Sequence, residues 1–415
     1  MGNKPSTGLF SNLSVLLHHH LLTEELHFYQ SSGARKRKRT PNRRRNRQFI
    51  LDEINELSDV DFRKMFRMNR SSFEKLLATI EPLLYTPNVA MARRSSGSTI
   101  SKRTKLYCTL RWLAGGSYLD ICIAYGVSRA SFFSTSYESG IVWPVIDAIN
   151  VAFQIGLPTD RNQLMQLANG FTRFTGGELW GCVSAIDGWV CVTRKPHQSE
   201  VGDVTAYRNR HGCWGLVVLA GCDADCRYNI FSCVNSGSTN DCLGWDVCEA
   251  SKVVEHSDWP SDFYVIGDEA FVCTNNFLTP YSGRGLGPWK DAFNFYLSSM
   301  RQCVERSFAL LVQHWGILWH PLQFDFRYWT RVLMALAKVH NFCIDEGDIP
   351  VRQRFHEDVM EGDQFEVLIN ESFFDEEEQH FLMTRRTGNR RHNNFRVVLE
   401  EKGLRRPNYN INSRA

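Results

Sequence analysis

The chain has no apolar run long enough to cross a bilayer. Leu16 to Leu22 is short and rich in histidine, whereas a membrane-spanning helix needs about 20 apolar residues. We therefore expect a soluble protein with no membrane partner. Met1 to Ser6 matches an N-myristoylation pattern. One acyl chain would anchor only weakly, so we interpret this match as coincidence and leave its use open.

A disulfide framework and a convincing secretory signal are also lacking. The 13 cysteines are scattered along the chain, which is typical of reduced thiols in an intracellular protein. Five of them fall between residues 222 and 248, but their spacing fits no regular two-pair zinc pattern. We expect buried thiols at these positions and no zinc site: Cys222, Cys226, Cys233, Cys242 and Cys248.

Net charge is small, only +3 over 415 residues, but basic residues are concentrated near the amino terminus. Such runs remain extended and are typical of nuclear localisation signals or nucleic-acid-binding arms. The alternative is a merely solvated charge run. We predict a nuclear protein, with the cytoplasm left open in the absence of a partner. The predicted signal consists of Arg35, Lys36, Arg37, Lys38, Arg39, Arg43, Arg44 and Arg45.

Three segments each place one carboxylate at an apolar element. Asp187 lies within a predicted buried strand, and Asp268 follows a second short strand at its carboxyl end, where ligands of open α/β sheets usually bind. Glu305 lies one residue off the apolar stripe of a predicted helix from Leu297 to Trp315. A charge in a buried strand is unfavourable unless it is paired or bound to metal.

Carboxylates are the ligands that Mg²⁺ and Mn²⁺ prefer. Two such ions activate a nucleophile and stabilise the leaving oxygen of a phosphodiester. Taken singly, each acid is more often a cap, a turn residue or a surface charge. Their order and contexts together favour a metal-dependent nuclease, with Asp187, Asp268 and Glu305 as both catalytic residues and metal ligands.

Six segments in order resemble the PIF/Harbinger transposases and the nuclease-like proteins derived from them. The likeness covers roughly Arg103 to Asp345 and includes all three acids. Its segments are Ala185 to Gly188, Tyr207 to Gly212, Ser236 to Asp241, Gly267 to Phe271 with Leu278 to Tyr281, Cys303 to Phe308, and His340 to Phe342.

This resemblance implies an α/β fold: a ribonuclease H-like catalytic core, with a mixed sheet and flanking helices, preceded by an all-helical domain that contains a helix-turn-helix. It implies a DDE endonuclease and transposase that uses Mg²⁺ or Mn²⁺, acts on duplex DNA at element ends and target, and has a separate Myb-like protein partner. A homo-oligomer is left open. The competing hypothesis is a domesticated, catalytically inactive DNA-binding or adaptor protein; an RNA-directed ribonuclease is a third class.

The chain order predicts four strands, at 182–193, 213–221, 227–234 and 263–267, and a helix at 241–256. For Asp241 at the start of that helix, we prefer an N-cap over a position near the metals. We predict a disordered leader (1–48), a helical domain (49–165), the nuclease domain (166–345) and a polar, partly flexible tail (346–415) whose role is left open.

Within the helical domain, residues 102–140 predict a helix-turn-helix whose recognition helix runs from Arg129 to Tyr137. The alternative is a packing module with Phe132 and Phe133 in the core. Arg208 and Arg210 are predicted to lie at the mouth of the cleft, where they either bind phosphate or pair with surface acids. Arg301 either orients Glu305 or forms an i, i+4 pair with it. The predicted DNA contacts are Lys102, Arg103, Lys105, Arg129, Arg208 and Arg210.

Overall fold

The structure is a computed structural model that describes residues 47–85, 99–351, 390–403 and 405–406. The predicted localisation signal, from Arg35 to Arg45, lies outside these residues. Among the residues described, no helix combines the length and the apolar character that a membrane span requires.

A five-stranded mixed sheet forms the centre of the protein, in the order β3-β2-β1-β4-β5. Strands β1, β2 and β3 form an antiparallel meander, whereas β4 and β5 run parallel to β1. This arrangement, with helices on both faces, is the predicted ribonuclease H-like core. The strands are β1 (Cys182–Val192), β2 (Gly215–Cys222), β3 (Tyr228–Ser236), β4 (Tyr264–Ile266) and β5 (Phe277–Leu278).

The central strands form where the chain is continuously apolar. Every residue of β2 is buried, and β1 is buried over its first five residues and half-buried at Asp187. Strands covered on both faces read as near-continuous apolar runs, and for this reason the four predicted strands agree with β1 to β4 to within about two residues. The two-residue strand β5 was not predicted.

Helices cover both faces of the sheet. On one face, α8 (Arg161–Thr175), α9 (Asp241–Val247) and α10 (Glu249–Val254) enclose a cluster that includes Val183 and Leu219. On the other face, α11 (Pro288–His314) and α12 (Trp329–Asp345) pack over Ala185 and Val218. The predicted helix at 241–256 is thus two helices, because the backbone is extended at Cys248.

The amino-terminal helices share the larger hydrophobic cluster with α11 and α12. Ser58 caps α2, since its hydroxyl accepts from the amide of Asp61. Asn69 precedes α3 without a side-chain capping bond. The helices are α1 (Gln48–Glu56), α2 (Asp59–Phe66), α3 (Arg70–Ile80), α4 (Lys102–Leu113), α5 (Tyr118–Ala124), α6 (Arg129–Phe132) and α7 (Val142–Ala152).

The predicted recognition helix is much shorter than expected. It ends at Phe132, so that α6 has only four residues. Phe132 is buried, and Phe133 packs edge-on against Trp112. The packing role that we considered as an alternative therefore describes these two aromatic residues, and the prediction of a helix to Tyr137 is wrong.

A carboxy-terminal helix, α13 (Arg390–Glu401), packs against the core. Leu399 is buried, and Phe395 contacts the ring of Tyr264 in β4. Arg391 donates to the carbonyl of Phe263, just before β4, and Arg406 pairs with Asp291 near the start of α11. This part of the predicted tail is therefore bound to the elements that precede Asp268 and Glu305.

Candidate metal-binding active site

Asp187 lies in the middle of β1, between β2 and β4. It is opposite Ala220 of β2, and its side chain is 18% exposed. Its Oδ1 accepts a hydrogen bond from the amide of Gly188 at 2.9 Å, and its Oδ2 accepts from Arg301 at 3.1 Å. The apolar strand thus holds a carboxylate at a fixed point of the sheet surface.

Asp268 follows the end of β4, the parallel neighbour of β1. The turn after the strand is stabilised by Asp268 itself, whose Oδ1 accepts from the amide of Ala270 at 2.9 Å. A Cβ at Gly267 would lie 2.6 Å from side-chain atoms of Phe271 and Phe277. Glycine therefore allows the chain to turn tightly against these aromatic rings and brings Asp268 beside β1.

Asp241 also reaches this site, and our preferred interpretation of it as a helix cap is wrong. The cap of α9 is Asn240, whose side chain accepts from the amide of Leu243. Asp241 points instead at Gly188, where an added Cβ would lie 1.9 Å from its Oδ1. The space left by a residue without a side chain admits this third carboxylate. The sequence feature that could have identified Asp241 as part of the site was its position at the end of the segment Ser236 to Asp241.

Asp187, Asp241 and Asp268 form what we call the aspartate cluster, in which one carboxylate oxygen of each lies within 4.8 Å of the others. Burial, and then the charges of Asp268 and Asp187, raise the pKa of Asp241 to about 7. Burial and the charge of Asp187 raise the pKa of Asp268 to about 6. Crowded carboxylates of this kind are stabilised by a divalent cation, and an all-oxygen donor set fits Mg²⁺ or Mn²⁺.

Glu305 lies beside the aspartate cluster on α11 but outside it. Its Oε1 accepts from Nη2 of Arg301 at 2.8 Å, and the same nitrogen donates to Asp187. Burial raises the pKa of Glu305, although the charge of Arg301 opposes this effect. Both functions that we considered for Arg301 are therefore present: it forms the i, i+4 pair, and it ties Glu305 to β1.

Comparison with known proteins points to the same region. Residues 186–341 match the family model described as DDE superfamily endonuclease. The match covers less than half of the chain and contains the aspartate cluster together with Glu305. No curated protein and no solved structure matches the chain. The matched region is thus similar to a DDE transposase-like nuclease, a class that implies the use of divalent metal.

The predicted DNA-contacting residues of the helical region already have partners within the protein. Lys102 donates to the carbonyl of Glu81, and Arg103 pairs with Glu74 through both terminal nitrogens. Lys105 is buried and donates to the carbonyl of Glu138, and burial lowers its pKa. Lys105 therefore lies below the surface in this structure, and its contact with DNA stays a prediction.

Arg129 and the two predicted cleft arginines differ in their surroundings. Arg129 donates to the hydroxyl of Tyr118 and lies over its ring. Arg208 and Arg210 are exposed, in the long connection between β1 and β2. Burial raises the pKa of Asp241, and the charge of Arg210 partly offsets this rise. Of the predicted contacts, Arg210 therefore lies close enough to influence the cluster.

No cysteine belongs to the group of possible metal ligands in the described parts of the chain. Asp187, Asp241 and Asp268 are the group of possible ligands found there. Four of the five cysteines between residues 222 and 248 are buried, and Cys242 is half-buried. The expectation of buried thiols holds for the four. Asp223 stabilises the turn between β2 and β3 by accepting from the amides of Asp225 and Arg227.

Proposed function

We propose that the protein is a metal-dependent DNA endonuclease of the PIF/Harbinger type, which hydrolyses a phosphodiester at an element end and transfers the freed strand to a target. Asp187, Asp268 and Glu305 are the proposed DDE triad, and Asp241 is added to the ligands on the basis of its position. The aspartate cluster is the observation that carries the proposal.

The chemistry of the donor atoms supports a nuclease. Bound at these carboxylates, Mg²⁺ or Mn²⁺ would activate a water or hydroxyl nucleophile and stabilise the leaving oxygen. The chain itself contributes the rigid geometry. Asp187 is held by the sheet, Asp268 by its own turn, and Asp241 by the start of α9, so that the three oxygens converge without a change of fold.

Duplex DNA is the proposed substrate, and the connection between β1 and β2 is the proposed contact surface. The amide of Ser238 donates to the carbonyl of Ala206, which holds this connection beside the segment leading to Asp241. Arg208 and Arg210 are exposed there, and arginine is well suited to phosphate. A Myb-like partner, a homo-oligomer and nuclear import through Arg35 to Arg45 are further proposals from the resemblance.

Manganese titration by calorimetry in the presence of duplex DNA, together with nicking of supercoiled plasmid, tests the function. We expect saturable binding and nicking by the unmodified protein. Asp187→Asn and Asp268→Asn should each weaken both by at least about 100-fold, since loss of a ligand exceeds the effect of losing its supporting groups. Asp246→Asn is the matched control, because Asp246 is exposed on α9.

The result also separates this function from its alternative. No manganese binding by the unmodified protein would contradict a metal-dependent nuclease and favour a domesticated DNA-binding or adaptor protein that has kept the fold. Cleavage of RNA–DNA hybrids in preference to duplex DNA would instead favour a ribonuclease.

A further inference from the structure

Arg301 places one nitrogen between two of the proposed metal ligands. Its Nη2 lies 3.1 Å from Asp187 Oδ2 and 2.8 Å from Glu305 Oε1. An ion bound directly to both oxygens would lie about 2.1 Å from each, and therefore in the space between them that Nη2 borders. A divalent ion at that position and the guanidinium of Arg301 would repel each other, because both are cations.

The guanidinium of Arg301 is incompletely bonded in this arrangement. Its side chain is 18% exposed, and its Nε is buried without a hydrogen-bond partner among the described residues. A buried donor that lacks an acceptor destabilises the arrangement in which it occurs. Arg301 would therefore gain a hydrogen bond from an anionic oxygen supplied to the site, and phosphate oxygens match the planar fork of arginine.

The aspartate cluster and Glu305 differ in how readily their oxygens can bind a metal ion. The three oxygens of the aspartate cluster lie within 4.8 Å of one another. Glu305 is 43% exposed and is held by Arg301 through its Oε1. An ion can thus be taken by the aspartates as they lie, whereas an ion that needs Glu305 and Oδ2 of Asp187 must first displace Arg301.

We propose that Arg301 is a positioning residue that withholds Glu305 and one oxygen of Asp187 from a second metal ion until a phosphodiester of DNA draws its guanidinium away. This inference rests on the proposed nuclease function. It makes occupancy of the second position depend on substrate, so that the complete set of ligands forms only around DNA.

Counting manganese ions per full-length chain, with and without a short DNA duplex, tests the inference. We expect about one ion per unmodified chain without DNA and about two with it, the number used in two-metal sites. Arg301→Gln removes the competing cation, so we expect about two ions in both conditions. Arg301→Lys keeps a cation at the site and should behave like the unmodified protein. Titration of the duplex alone supplies the blank.

A second variant keeps the test conclusive if Arg301→Gln does not fold, which circular dichroism would reveal. Glu305→Gln removes the ligand that Arg301 withholds, and we expect about one ion with or without DNA. A merely structural function of Arg301 would alter thermal stability but would leave the ion count of a folded variant unchanged.

The outcomes distinguish this inference from the function on which it rests. If the unmodified protein binds no manganese in either condition, the nuclease function itself is wrong. If it binds manganese but its ion count does not rise with DNA, or if the folded Arg301→Gln variant shows the same counts as the unmodified protein, only the inference about Arg301 is wrong.

Discussion

The sheet and the amino-terminal helices balance their charged residues to different degrees. At the sheet, the carboxylates of the aspartate cluster crowd together, and the buried cation beside them, Arg301, donates to one of the three. In α4, by contrast, Arg103 is paired with Glu74, and Lys105 donates to the carbonyl of Glu138. Incompletely balanced buried charge is typical of a site that binds a ligand, whereas balanced charge is typical of a structural element.

Among variants that keep every acid in place, the strongest loss of metal binding should come from filling the space that admits Asp241. A methyl group in Gly188→Ala would collide with the Asp241 carboxylate, so we expect manganese affinity to fall by about 10–100-fold, as when groups supporting a metal site are lost. Calorimetry measures this change. Gly156→Ala is the control, since a Cβ there meets no atom within 4 Å. Unchanged affinity in Gly188→Ala would show that Asp241 is not a ligand.

The crowding should also appear as pH dependence of the metal-free protein. Because the pKa of Asp241 is raised from 3.8 to about 7 in the folded state, its contribution to stability is fully present below about pH 4. That contribution is lost as the pH rises through about 7. We expect Asp241→Asn to flatten this decline in urea unfolding with chelator present, and Asp246→Asn to leave it unchanged. Parallel curves for Asp241→Asn and the unmodified protein would contradict the crowding.

Two lysines of α4 test the region in which charged residues are balanced, the amino-terminal helices. Lys105→Ala removes a buried side chain and its hydrogen bond, and should lower the free energy of unfolding by about 2 kcal/mol. Lys102→Ala, near the surface, should change it by less than about 0.5 kcal/mol. Urea unfolding measures both. Equal effects would show that burial does not distinguish the two residues.

The smallest expected effect concerns the salt dependence of DNA binding. Removing a phosphate contact lowers the slope of log affinity against log salt concentration by about one. We expect this for Arg208→Ala and for Arg210→Ala, and no change for Arg103→Ala, whose side chain is paired with Glu74. Fluorescence anisotropy at several salt concentrations gives the slopes. A change confined to Arg103→Ala would move the DNA surface to the helical region.

Local patterns predicted the strands and the long helix well, because they depend on nearby residues. The apolar run around Asp187 is a central strand, and the stripe beside Glu305 is part of α11. The same reasoning failed at Arg129 to Tyr137, where the sequence predicted one continuous recognition helix. Aromatic packing of Phe132 and Phe133 with distant residues ends the helix early, and no local pattern contains that information.

The candidate site was predicted in part. Asp187 and Asp268 were identified from their places in or after strands, and they lie together as expected. Asp241 was assigned to a cap because aspartate often starts helices. Asn240 is an equally good capping residue, and which of the two caps the helix depends on where the chain turns after β3. Whether Lys105 is buried or exposed likewise depends on which residues pack over α4.

Apolar periodicity and turn residues act over a few positions, and local sequence was therefore enough to predict the type of most elements and the acids beside them. Which acids meet depends on long-range packing. Asp187, Asp241 and Asp268 are separated by 54 and 27 residues, and their approach depends on strand register, on the parallel pairing of β1 with β4 and on the missing side chain of Gly188. The arginine that separates Glu305 from them is likewise placed by the packing of α11 against β1.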